Sequence, residues 1–175
     1  WTVANNGSVD LALHAQRNTV FPELPRFGLR LFLPQEMSQV NYYGMGPMEC
    51  YCDKHHAASH NSYTATVWQL HEDYIRPQEN GSHFDCDYVM LAGDAVRLTA
   101  VGTQPFSFNA SHYTQEELTR KAHNYELEPC SSTVLCLDYA QNGIGSESCG
   151  PRLLEQYRLD DATFNFGLRL FPEKK

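Results

Sequence analysis

The sequence predicts an all-β fold, a large antiparallel β-sandwich with one short helix. Three observations carry that expectation. Apolar residues alternate with polar ones at a period of two in segment after segment. Clusters of Gly, Pro and Asn separate those segments at the spacing of a strand-turn-strand chain. Ten Tyr, nine Phe and two Trp give the aromatic fraction that strands favour. A chain of 175 residues is long enough to bury one real core, so residues 1–175 read as a single domain.

Trp1 leads toward a first strand, and Asn5-Asn6-Gly7 makes a turn in which Asn6-Gly7 can take positive φ. Val9, Leu11, Leu13 and Ala15 alternate as a half-buried strand, and Thr19 to Pro25 connects onward. Phe27, Leu29, Leu31 and Leu33 then line one apolar face, and Pro34, lacking an N–H, stops regular pairing. Val40-Asn41-Tyr42-Tyr43 opens another strand, which ends in Gly44-Met45-Gly46-Pro47, with Glu49, Tyr51 and Asp53 on alternate positions beyond. Residues 54–63 read as a polar loop holding His55, His56 and His60. Imidazole ligates metals, but no H-x-x-x-H with a catalytic Glu accompanies them, so no metal site is expected.

Tyr63 to Trp68 is β-prone and Gln69 to Arg76 irregular, and Pro77 to Gly81 turns. Phe84 to Leu91 reads as a strand with Cys86, Tyr88 and Met90 on one face. Val96, Leu98 and Ala100 face one way on the next, Gly102 to Pro105 turns again, and Phe106 and Phe108 share a face on a further short strand. Ser111 to Ala122 carries the helix, where Thr114 and Glu117 form a capping box and Arg120 and Lys121 suit the C-terminal end. Thr133, Leu135, Leu137 and Tyr139 make a strand buried on both faces for part of its length. After a glycine loop and a short irregular or helical link over Leu153 to Leu159, Phe164, Phe166, Leu168 and Leu170 close the chain. Phe166-Gly167-Leu168-Arg169-Leu170-Phe171 nearly repeats Phe27-Gly28-Leu29-Arg30-Leu31-Phe32. Two copies make no repeat array, so this reflects similar sheet positions or chance.

The formal charge of −8 excludes a nucleic-acid partner, which would need a basic stripe. No apolar run spans a bilayer and no signal-peptide pattern appears, so no membrane partner is expected. The chain starts at Trp1 without Met and reads as a fragment of a longer polypeptide. Six cysteines permit a disulfide framework. Several sit inside apolar alternation, however, and a chain this size does not need staples, so mostly free thiols are expected. Acidic charge and thiols point to the cytoplasm, with a periplasmic parent as the alternative.

The motifs point to one family. An arginine-glycine strand (Arg26 to Gly28) precedes Val40-Asn41-Tyr42-Tyr43-Gly44-Met45-Gly46-Pro47, and Glu49-x-Tyr51-x-Asp53 follows. Downstream come Pro77-Gln78-Glu79-Asn80-Gly81, His123, and Gly143-Ile144-Gly145 with Ser148-Cys149-Gly150-Pro151. In order and content these resemble the C-terminal (small chain) domain of the large bacterial β-galactosidases of glycoside hydrolase family 2. The resemblance implies a galactose mutarotase-like supersandwich. It also implies an accessory role: the domain completes the sugar pocket and the assembly of an enzyme that hydrolyses terminal β-D-galactosides. Both catalytic carboxylates then belong to a barrel domain outside this chain, so the chain alone is expected to be inactive and to hold no catalytic residue. The family's Mg and Na ions are bound in other domains, so no cofactor is expected here. The implied partners are the remaining domains of the parent, the galactoside, and further copies in a homo-oligomer.

Within the family, the late glycine loop reaches into the catalytic pocket, and a tryptophan there walls the galactose site. Here Cys149 takes the tryptophan's position in a loop one residue shorter. Gly145, Glu147, Ser148 and Cys149 are therefore the candidate substrate-binding residues. The chain also departs from the family in lacking arginines near His83 and Asp87. Glu79 reads either as a sugar ligand or as a cap for its own turn. Two other readings stay open. A free-standing carbohydrate-binding module would use Tyr42, Tyr43 or Trp68 as a stacking platform. A mutarotase-like epimerase would pair His123 with Glu147 or Glu79 as general acid and base.

Overall fold

The structure is a computed structural model that describes residues 1–144 and 151–175. It is an antiparallel sheet folded into a sandwich, with one short α-helix, as the alternation predicts. The strands are β1 (Thr2–Val3), β2 (Val9–Gln16), β3 (Arg26–Pro34), β4 (Gln39–Gly46), β5 (Ser59–Thr66), β6 (Ser82–Ala92), β7 (Val96–Ser111), β8 (Ser132–Gln141) and β9 (Thr163–Lys174). The pairing order is β1-β2-β9-β7-β6-β4-β5, and β8 joins β3 to β7 off that path. Among the described residues no helix is long and apolar enough to cross a membrane.

The sheet doubles over because β7 changes partner along its length. Val96–Gly102 pairs with β9, and Ser107–Ser111 pairs with β8. The chain does not turn at Gly102 to Pro105, contrary to the sequence expectation. β7 is one strand of 16 residues; Gly102 is the last to pair with β9, and Thr103 to Phe106 lie between its two partners. Thr103 Oγ1 and Gln104 Nε2 donate to Gly167 O and Asn165 O at 3.2 Å each, so side chains keep this stretch tied to β9. Turn-forming residues here mark a change of partner and not a reversal.

The two layers face each other across the core. Phe27 on β3 meets Phe164 on β9 edge to face with centroids 4.8 Å apart, and Tyr139 on β8 stacks on Phe164 at 4.5 Å. Val89, Leu91, Phe106, Phe108, Leu135, Leu137, Phe166 and Leu168 are fully buried between them. β8 is buried on both faces from Thr133 to Asp138, as expected. The near-repeat occupies unlike positions: β3 pairs with β8 alone, whereas β9 lies between β2 and β7.

Three further expectations change. Cys86 shares its buried side with Val89 and Leu91, not with Tyr88 and Met90. The register shifts twice between His83 and Tyr88, and Asp85 takes φ 54°. An extra residue of this kind moves the following side chains to the other face. The helix, α1 (Gln115–Arg120), is shorter than the predicted 111–122 because β7 extends to Ser111. Its box is half formed: Thr114 Oγ1 accepts Glu117 N–H at 3.1 Å, but Glu117 turns to Arg120, Lys121 and the N–H of Glu128. A complete box stands instead on the 3₁₀ turn Val67–Leu70, between Thr66 and Gln69, across the junction of what read as β-prone (to Trp68) and irregular (from Gln69). The five described cysteines, 50, 52, 86, 130 and 136, are free thiols.

Candidate functional site

The motifs scattered through the sequence converge at the end of β8, under the root of the late glycine loop. Arg26, the first residue of β3, donates through Nη1 to Glu79 Oε2 at 3.0 Å and through Nη2 to Asp138 Oδ2 on β8. Asp138 fits because the residue facing it is Gly28. A Cβ on Gly28 would lie 2.4 Å from Asp138 Oδ1, so the arginine and the glycine of the strand motif both serve one carboxylate. Gln141 Nε2 donates to Asp138 Oδ2 and to Ser82 Oγ at 3.1 Å each. The resulting cluster binds β3, the turn before β6, and β8.

Its electrostatics follow from burial. Only 3% of the Asp138 side chain is exposed. Burial pushes the Asp138 and Glu79 carboxyls up, and Arg26 brings them only part of the way back. Burial alone would lower Arg26, but the two carboxylates outweigh it and hold the guanidinium charged. The two carboxylates are separated by this guanidinium, not by space for a scissile bond, so the cluster is an ion triad and not a glycosidase pair.

A second cluster adjoins it. Glu49 Oε2 accepts the Gly81 N–H at 2.8 Å, and Glu49 Oε1 accepts Lys54 Nζ at 2.7 Å and the Tyr74 hydroxyl. Burial pushes Glu49 up, but these donors prevail and hold its carboxyl below the ordinary range. Asn80 Oδ1 accepts Glu72 N–H at 3.0 Å, and Asn80 O accepts from Asn109. Tyr51, 2% exposed, keeps its proton because burial and then Glu79 push the phenol up. The E-x-Y-x-D and P-Q-E-N-G segments are thus two halves of one pedestal.

Above it, Pro25, Arg26, Glu79, Gln141, Asn142 and Ile144 line a cleft of about 320 Å³. The loop leaves from this cleft. Asn142 N–H donates to Pro25 O, and Leu159 N–H donates to Asn142 Oδ1, at 2.9 Å each. The candidate residues Gly145, Glu147, Ser148 and Cys149 lie outside the described residues.

The other candidates separate. Glu79 does not cap its own turn: Arg26 holds Oε2, and Oε1 is buried at the edge of the cleft without a hydrogen-bond partner among the described residues. His123 lies 3.6 Å from Glu126 and stacks on Tyr125, so it and Glu79 have different partners. Tyr42 is core, 1% exposed, against His83 and Phe108. Tyr43 packs on His60, and Trp68 on His112. His55 faces the Tyr51 carbonyl, and among the described residues no three His, Cys, Asp or Glu gather as metal ligands. Sequence reasoning missed Arg26, Asp138 and Gln141 as a unit. One signal was available: Asp138 is the charged residue in a strand otherwise read as buried on both faces.

Residues 1–170 match the family described as beta galactosidase small chain. The chain is 47% identical over 174 residues to a beta-galactosidase of Actinobacillus pleuropneumoniae, covering 99% of this chain and 17% of that protein. A beta-galactosidase of Staphylococcus xylosus is 42% identical over 170 residues, covering 97% and 17%. One from an Arthrobacter strain is 34% identical over 169 residues, covering 93% and 16%. The chain thus spans about one-sixth of the length of these relatives.

Proposed function

The chain belongs to the beta galactosidase small chain family, and from that premise we propose that it is the C-terminal accessory domain of a β-galactosidase. The parent hydrolyses terminal β-D-galactosides. This domain completes the sugar pocket through the loop rooted at Gln141–Ile144 and contributes to assembly, with the remaining domains of the parent as its direct partners. The parent's Mg and Na ions belong to those other domains.

One observation supports the division of labour most directly. Retaining glycosidases use two carboxyl groups about 5 Å apart across the scissile bond. The buried carboxylates among the described residues, Glu49, Glu117 and Asp138, are all engaged by cations or N–H groups of this domain. They hold structure together and are not available to attack or protonate a glycoside.

The test is to assay the purified chain with a chromogenic β-galactoside. No turnover above buffer is expected. Turnover that survives purification and is abolished by changing one Asp or Glu would overturn the accessory reading.

A further inference from the structure

The last member of the E-x-Y-x-D motif is not accounted for by the pedestal. Tyr51 and Lys54 exchange backbone hydrogen bonds of 2.9 and 3.0 Å, which places Cys52 and Asp53 at the tip of a tight turn. That tip meets the stem of the loop. Asp53 Oδ1 accepts the Ile144 N–H at 3.2 Å. Cys52 Sγ lies 3.6 Å from both Gln141 O and Tyr157 O, one on each side of the stem. Gly143 is pressed between the two sides. A Cβ there would lie 2.5 Å from Asp53 Oδ2 and 2.2 Å from Leu153 Cδ1. Leu153 is itself buried, with its carbonyl held by Arg158 at 2.8 and 3.1 Å.

We propose that Asp53 is a positioning residue for galactoside binding: its carboxylate, seated against Gly143 and bonded to the Ile144 N–H, sets the direction in which the chain leaves the stem for the sugar pocket. This inference rests on the reading that the loop lines that pocket. The physical case is that the Ile144 N–H, at the stem of the loop, meets a side chain from a different segment, 91 positions away. A carboxylate accepting a backbone N–H makes a stronger and more directional bond than a neutral acceptor. A small misplacement at the stem grows along the loop, and a wall moved by about 1 Å costs substrate affinity. Gly143 is required by the same contact, since any side chain there would push Asp53 away. Lys54, next in sequence, is tied to Glu49, so the turn is braced from the pedestal side.

The test has two readouts. In this chain, amide exchange at Ile144 is measured by NMR, with the β8 amides of Leu135 and Leu137 as the reference for global stability. In the full-length enzyme that carries the domain, KM and kcat for a β-galactoside are measured. Asp53→Ala should speed Ile144 exchange at least tenfold relative to β8 and raise KM about tenfold, with kcat changed less than threefold. Asp53→Asn, which keeps a carbonyl acceptor, should stay within about threefold of the native protein on both. If the alanine variant does not fold, Asp53→Ser, too short to reach Ile144, replaces it. Unchanged Ile144 exchange in a folded Ala or Ser variant overturns the inference. Faster exchange with unchanged KM upholds Asp53 as the anchor of the stem and overturns the pocket-lining reading instead.

Discussion

Arg26 faces two carboxylates with one guanidinium, so its loss leaves both without a counter-charge. Removing one partner of a buried ion pair is far more damaging than the pair is stabilising, because the orphaned charge remains in the interior. Arg26→Ala should cost about 3 kcal/mol at pH 7 in urea unfolding. Asp138 and Glu79 are already shifted up by burial, and without Arg26 they take up protons more readily still. The penalty should therefore shrink as pH falls toward 5, and a penalty that grew on acidification would contradict this account. His83 behaves in the opposite sense. It is 1% exposed, beside Tyr42 Oη and Met45 O at 3.1 and 3.2 Å, and burial lowers its pKa to about 4. A depressed pKa means that the unfolded chain binds the proton first. The stability His83 contributes is present above about 6.5 and is lost as pH falls through 4. The loss is about 3 kcal/mol. His83→Gln, neutral throughout, should flatten that part of the pH-stability curve, and parallel curves would count against a buried neutral imidazole.

Among the elements, β6 and β7 decide the shape, and both depart from plain alternation. Asp85 sits at φ 54° within the first of the two register shifts of β6, between His83 and Cys86. Asp tolerates that region, Gly occupies it freely, and a β-branched residue does not. Asp85→Gly should therefore change stability by no more than about 1 kcal/mol, while Asp85→Val should cost about 2 kcal/mol. Equal effects in thermal unfolding would mean that the bulge relaxes. Alternation was enough to find β2, β3, β4, β8 and β9, because each keeps its register over most of its length, the β3–β8 pair shifting only at Phe27/Gly28. It failed at Gly102 to Pro105 and at Tyr88 because those outcomes depend on partners: β9 giving way to β8, and a bulge opposite Phe106. Single-strand periodicity carries no information about which strand lies alongside. The helix was legible from Thr114, but its length was not, since β7 claims Ser111 for its ladder.

For the molecule as a whole, one buried cluster joins both layers and includes Leu11 on β2, Val40 on β4, Phe108 on β7 and Leu168 on β9. That continuity explains a stable sandwich in which the five described cysteines remain thiols. The motif residues at the root of the loop were legible as a set. Their roles were not, because Arg26 finds Asp138 across 112 positions and Asp53 finds Ile144 across 91. Sequence could suggest a sugar ligand at Glu79, and only the fold reveals Arg26 as its ion-pair partner.

The proposed role is that this domain supplies a pocket wall, through its late loop, to an enzyme whose catalytic carboxylates lie elsewhere. Steady-state kinetics of the full-length β-galactosidase with residues Gly143 to Gly150 replaced by a short Gly-Ser linker test it most directly. The enzyme should remain folded, with KM for a β-galactoside raised more than tenfold. Cys149→Ala alone should shift affinity by less than about 1 kcal/mol, since a thiol offers a sugar ring little stacking surface. A linker variant that keeps the native KM and kcat would contradict the claim.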